Sequence, residues 1–196
     1  MKNTYLLTLL AFLVACSEAP LRPDRGIDLD LQNQREQIHS WKLNGRLSIT
    51  SEKESGTVTF YWSQDYERYL MSFIAPLGQG TFALRGGEAD GVYLLTAKSK
   101  VLHADNAETL LRQTVGWHVP ISGFKYWVRG LQEPGVGMTN QQCDELGRIT
   151  EMQQADWSIS IKRYMDVDGV GLPAKIFMHN DHVKLKLIIQ TWDTTP

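Results

Sequence analysis

The residues best equipped for chemistry in this sequence are two cysteines, Cys16 and Cys143, and five histidines, two of which flank an aspartate in "HNDH", His179 to His182. Two imidazoles and a carboxylate so close together could hold a metal ion. The same four residues fall between two alternating apolar runs, however, and Asn-Asp there suits the backbone of a hairpin turn. A turn is the expectation, and no metal is assigned. Cys143 stands beside Asp144 and Glu145 in a loop, where their charge disfavours the thiolate that a nucleophile needs. No GxSxG, P-loop, strand-borne GxGxxG or HExxH occurs. No catalytic residue and no cofactor is assigned, and an enzyme is not expected.

Cys16 stands in a different setting. It closes "MKNTYLLTLLAFLVAC", in which one Lys precedes an apolar run and Ala15 precedes the thiol. Residues 1–15 read as a signal peptide, to be left out of the fold. The ending Leu13-Val14-Ala15-Cys16 resembles a bacterial lipobox, in which a diacylglyceryl group joins the Cys sulfur and cleavage makes that Cys the N-terminus, later N-acylated. One acyl chain binds a membrane marginally, with K of roughly 10⁴ M⁻¹, whereas three hold essentially permanently. In many Gram-negative lipoproteins Asp after the Cys retains the chain in the inner membrane. Ser17 stands here, which by that resemblance implies the periplasmic face of the outer membrane. With Cys16 modified, Cys143 has no partner for a disulfide.

The elements that must carry these residues follow from periodicity. The chain of 196 residues is 42% hydrophobic and 21% charged, as a globular domain is, and its formal net charge of -2 gives no reason to expect nucleic acid. No segment after residue 16 is apolar for long enough to span a bilayer. Residues 16–26 read as the acylated Cys and a tether with two prolines, and 27–196 as one domain. Helix formers around Leu31, Ile38 and Trp41 predict a helix over Ile27 to Trp41. Alternation at Trp41, Leu43, Leu47 and Ile49, then at Val58, Phe60 and Trp62, then at Tyr69, Met71 and Phe73, predicts antiparallel strands. Three more are expected at Thr81 to Arg85, Gly91 to Thr96 and Lys100 to Ala104.

Helices interrupt the middle. Asp105 and Glu108 form an expected capping box, and a second short helix covers Ser122 to Arg129. Gly130 to Gly147 reads as a long loop. Strands return around Ile159, Ile176 and Leu185. The expected class is α+β, with one large antiparallel sheet.

Two features could serve function. In "FIAPLGQG", Pro76 and Gly78 suit the second and fourth positions of a type I turn, which leaves Leu77 at the tip, a place usually held by Asn, Asp or Ser. Leu77 either folds back onto the sheet or protrudes, and on an anchored domain a protruding leucine could dip into the bilayer. The strand aromatics likewise make either a filled core or, beneath helices, an apolar cavity.

Together these residues resemble the LolB family of outer-membrane lipoproteins. The resemblance rests on the lipobox, "LNGRLSI", "FYWSQ", "APLGQGTFAL", "AETLLRQTVGWHVPISGFKYWVRG", "WSISIKRY", "LPAKI" and "VKLKLIIQTW", in order over nearly the whole mature chain. It implies a strongly curved, incomplete antiparallel β-barrel with a helical lid over an apolar cavity. It also implies a receptor that accepts acylated lipoproteins from the periplasmic carrier LolA and inserts them into the inner leaflet of the outer membrane. The family's projecting loop carries an apolar residue, here Leu77 between Pro76 and Gly78. Candidate cavity residues are Leu47, Phe60, Trp62, Met71, Phe73, Trp127, Ile159, Ile176 and Leu185. A monomer is expected. The alternative is a scaffolding outer-membrane lipoprotein that binds another apolar ligand or an envelope partner.

Overall fold

The computed structural model describes residues 26–52, 55–78, 80–87, 91–115 and 119–195. The expected signal peptide, Cys16 and the tether up to residue 25 lie outside the described residues. The chain runs through helix α1 (Leu29–Glu36), strands β1 (Ser40–Ser51), β2 (Ser55–Asp65) and β3 (Arg68–Ile74), a turn at Pro76–Gly78, then β4 (Thr81–Gly87), β5 (Gly91–Leu95) and β6 (Val101–Ala104). Helices α2 (Ala107–Val115) and α3 (Ile121–Trp127) follow, and then β7 (Met138–Cys143), β8 (Ile149–Gln154), β9 (Trp157–Val167), β10 (Val170–His179) and β11 (Val183–Asp193). The strands form one antiparallel sheet in the order β6-β5-β4-β3-β2-β1-β11-β10-β9-β8-β7. Two meanders thus meet along β1 and β11, and β6 and β7 are open edges. The fold is α+β with a single unclosed sheet.

Period-two burial makes this sheet two-faced. On β1, Trp41, Leu43, Leu47 and Ile49 are buried while Lys42, Arg46 and Thr50 are exposed. On β11, Val183, Leu185, Leu187 and Ile189 are buried against exposed Lys184 and Lys186. Leu47 faces Leu187 across the seam. The register slips beside Gly45, where a Cβ would lie 2.1 Å from the carbonyl oxygen of Ile188. Only glycine lets the two backbones approach so closely. A second slip lies between Pro173 and Lys175 on β10, and there the Pro173 carbonyl accepts the Trp192 indole N–H at 2.9 Å. Bulges of this kind bend a sheet toward one face.

Several elements differ from their sequence expectation, each for a local reason. α1 ends at Glu36, because Trp41 heads the inner row of β1 at 2% exposure and core burial there outranks helix propensity. α1 buries Arg35, not an apolar stripe. The cap of α2 is Asn106, whose Oδ1 accepts the Thr109 N–H at 2.7 Å, in place of the expected Asp105 and Glu108 box. Glu108 instead reaches α3 and accepts the Ser122 N–H at 3.2 Å. α3 starts at Ile121 and stops at Trp127, short of Arg129. The expected loop before Gly147 contains β7, an edge strand of polar residues with little to bury and hence no apolar alternation. At "HNDH" the β10–β11 hairpin turns, with Asn180 Oδ1 accepting the His182 and Val183 N–H groups at 3.0 Å.

Candidate functional site

The inner face of the sheet gathers the strand residues proposed from alternation, and Trp127 of α3 packs among them. Leu47, Phe60, Trp62, Met71, Phe73, Trp127, Ile159, Ile176 and Leu185 all belong to one buried cluster, none more than 4% exposed. α2 and α3 roof it with Leu110, Leu111, Ile121 and Phe124. The Phe124 ring lies 5.3 Å from Trp62 and 6.4 Å from Phe60, which lies 5.1 Å from Phe73. Trp41 adds contacts at 4.9 Å to Trp62 and 5.3 Å to Trp192. Roof and floor therefore touch in this conformation.

Room opens at one end of the sheet, where a cleft of about 470 Å³ lies between the ends of β2–β5 and the two roof helices. That is within the usual range of small-ligand sites, roughly 300 to 1,000 Å³. Of the cavity candidates Trp62 faces it, and with Val92, Ala107 and Ile121 it joins the cleft to the buried cluster. Tyr69 and Ile121 also line it, while Glu67, Asp105, Glu108, Glu133 and Lys125 stand around it. Lys125 Nζ pairs with Glu67 at 2.6 Å. Burial, with Glu108 nearby, pushes the Tyr69 phenol up to about 12, so it stays protonated in neutral solution.

Buried polar groups fix the roof, and sequence reasoning missed them. Gln154, 1% exposed, accepts the Trp127 indole N–H and the Glu133 N–H, both at 2.8 Å, and donates to the carbonyls of Glu133 and Val136. Arg129 donates to the carbonyls of Lys125, Arg35 and Ile38, and its burial holds its pKa below the ordinary value. Arg35 donates to the Gly171 carbonyl at 2.9 Å and lies over the Tyr164 ring, whose phenol is pushed up by burial. A buried arginine in a surface-type helix leaves no apolar signature, which is why the pattern of α1 did not reveal it.

Leu77 is the other half of the site. It is 97% exposed, at the tip of the loop between Ile74 and Thr81, whose base is closed by the Ala75 N–H donating to the Gly80 carbonyl at 3.0 Å. Its φ of 55° and ψ of 28° are left-handed, so the expected type I turn, which needs a negative φ at that position, is not the one formed. A non-glycine residue in this region gives up roughly 1 to 2 kcal/mol. The loop thus holds a large apolar side chain in water on a strained backbone.

The remaining chemistry-bearing residues stay apart. Among the described residues no group of three or more His, Cys, Asp or Glu side chains could hold a metal. Cys143 ends β7 rather than lying in a loop, and its Sγ accepts from Gln141 at 3.4 Å. The neighbouring Asp144 is paired with Arg148 at 2.6 Å.

This roofed, unclosed sheet has relatives. Residues 39–192 match the family described as Outer membrane lipoprotein LolB. The chain belongs to the LolB family. It is 36% identical over 196 residues to the outer-membrane lipoprotein LolB of Cellvibrio japonicus, covering 95% of this chain and 96% of that one. The LolB of Nitrosococcus oceani is also 36% identical, over 157 residues, covering 80% of this chain and 78% of that one. A LolA superfamily protein from Nitrosomonas europaea shares the fold at a TM-score of 0.54 and 7% identity, covering 88% of this chain and 95% of that one.

Proposed function

We propose that this chain is an outer-membrane receptor, anchored by acyl groups on Cys16, that accepts acylated lipoproteins from a LolA-like periplasmic carrier and inserts them into the inner leaflet of the outer membrane. Leu77 carries this reading: an almost fully exposed leucine held on left-handed backbone in a LolB-family chain. A leucine gains by leaving water, and the nearest apolar phase for an anchored domain is the bilayer.

No bond is made or broken. Each CH₂ moved out of water contributes about 0.8 kcal/mol, so acyl chains need a continuous apolar route from carrier to membrane. Trp62 stands where the cleft meets the inner face, and Phe60, Phe73, Met71 and Ile176 extend that face beneath the roof. Cargo chains entering there must part α2 and α3 from the floor, exchanging Phe124–Trp62 contact for contact with lipid. Loading is therefore downhill only if the acyl chains replace the aromatic contacts they displace. The bilayer is the final sink, and the Leu77 loop lowers the last barrier by disturbing the headgroup layer.

The test is transfer of a labelled acylated lipoprotein from the carrier, through this protein, to liposomes. Leu77→Glu should accept cargo and release it far more slowly, because a carboxylate resists entry into the acyl region. Equal release by the Glu and Leu forms would overturn the role given to the loop.

A further inference from the structure

The outer face of the sheet should be solvated throughout, yet over β3–β6 it is apolar. Leu70, Ala83, Arg85, Tyr93, Leu95 and Val101 line an exposed groove of about 430 Å³. Val101 is 64% exposed and Leu95 42%. The register makes this one surface: Leu70 faces Arg85 and Arg85 faces Tyr93, while Ala83 faces Leu95 and Leu95 faces Val101. Exposed Ile74 carries the surface to the rim, three residues from Leu77. The base of the Leu77 loop abuts the next turn, since a Cβ on Gly80 would lie 2.3 Å from that of Ala97.

Charge on this face has one sign. Arg85 lies over the Tyr93 ring at 5.9 Å, and exposed Lys98 and Lys100 sit in the turn beside the Leu77 loop. No Asp or Glu lies on strands β3, β4, β5 or β6. Farther along the same outer face Arg46, Lys184 and Lys186 are exposed, and at the end away from Leu77 Asp65 of β2 pairs with Arg68 of β3. Apolar side chains rimmed by cations suit the headgroup boundary of a membrane.

The position of the anchor points the same way. Asp28 donates its N–H to the Gly147 carbonyl, and Arg35 holds Gly171, which places the start of the domain at the end of the sheet opposite Leu77. β1 has 12 residues and spans roughly 40 Å at about 3.3 Å per residue. From Cys16 to Asp28 the chain reaches roughly 40 Å at full extension. A domain standing on its Leu77 end would hold this tether at full stretch. A domain lying along the surface lets both ends touch.

We propose that the outer face of β3–β6 is a membrane-contact surface on which the domain lies, continuous with Leu77 and directed at a phospholipid bilayer. This rests on the reading that Leu77 enters the bilayer. In this pose the roof helices face away from the membrane, toward an arriving carrier.

The test uses the full acylated chain with Cys143→Ser, labelled with a small environment-sensitive fluorophore at Leu77→Cys, Val101→Cys or Gln113→Cys, in vesicles of phosphatidylethanolamine and phosphatidylglycerol bearing nitroxide headgroups. Positions 77 and 101 should be quenched, and position 113, on the outer side of α2, should not. Quenching at 77 without 101 overturns the surface and spares the loop. Quenching at neither overturns both. An apolar shift at 101 that grows with protein concentration in the absence of vesicles would identify a second copy as the occupant and overturn the proposal. Leu95→Glu with Val101→Glu should keep the unfolding midpoint and slow delivery roughly tenfold, and an unchanged rate counts against the surface.

Discussion

The indole N–H of Trp127 donates to the side-chain oxygen of Gln154 at 2.8 Å, which bolts the last turn of the roof to strand β8. The same oxygen accepts the Glu133 N–H, so the segment after α3 is tied to one amide. Gln154→Leu would keep the volume and leave an indole N–H, a backbone N–H and two carbonyls unpaired. Each buried orphan costs about 1 to 3 kcal/mol. The variant should lose at least about 3 kcal/mol in urea unfolding, and hydrogen exchange at Glu133 should accelerate.

Leu77 offers a separation of stability from function. Leu77→Gly removes the left-handed penalty and should leave stability unchanged or raise it by up to about 1 kcal/mol. Leu77→Val, β-branched at a positive φ, should lower it by about 1 kcal/mol or more. Both should deliver cargo more slowly than the parent, whereas Leu77→Phe should stay near it. Thermal melts paired with liposome transfer read the two effects independently.

Gly45 should tolerate no side chain. A methyl group at 2.1 Å from the Ile188 carbonyl oxygen forces the β1–β11 seam apart. Gly45→Ala should destabilise by about 1 to 3 kcal/mol, as overpacking does. Gly56→Ala, with nothing within 4 Å of the added carbon, is the matched control and should fall within about 0.5 kcal/mol of the parent.

Acid should loosen the β7–β8 turn. Partial burial pulls the Asp144 pKa upward, but hydrogen bonds from Arg148 and the Leu146 N–H outweigh it and hold the carboxyl below its ordinary 3.8. A group with a depressed folded pKa stabilises the fold above its unfolded value and loses that contribution as pH falls through the folded one. As pH falls below about 4 the parent should therefore lose more stability than Asp144→Asn. Urea midpoints measured across that range check the sign.

Where side chains alternate over a half-buried surface, the sequence was readable. Trp41, Leu43, Leu47 and Ile49 announced β1, and Val183 to Ile189 announced β11. Edge strand β7 was not readable, because its residues bury little and its pairing is a backbone matter. The turn around Leu77 was located correctly, but its handedness was not, since left-handed backbone at a leucine goes against local preference and is imposed by the hairpin. The site divided in the same way. Inner-face residues followed from periodicity, whereas Gln154, Arg129 and Arg35 act through hydrogen bonds that join distant segments and leave no periodic trace.

The seam between β1 and β11 has a consequence for how the molecule comes to be. Asn44 bonds Thr191, 147 positions away along the chain. Among the described residues every other strand pairing joins sequence neighbours, so each meander can form as its own residues emerge, but their union waits for β11, the last of the eleven strands in chain order. Until β11 arrives, β1 presents an unpaired edge backed by Trp41, Leu43 and Leu47. Folding should thus show a fast phase for the hairpins and a slower, concerted closure limited by this long-range strand pairing. The interval before closure is when the chain is most exposed to aggregation and most in need of a periplasmic chaperone.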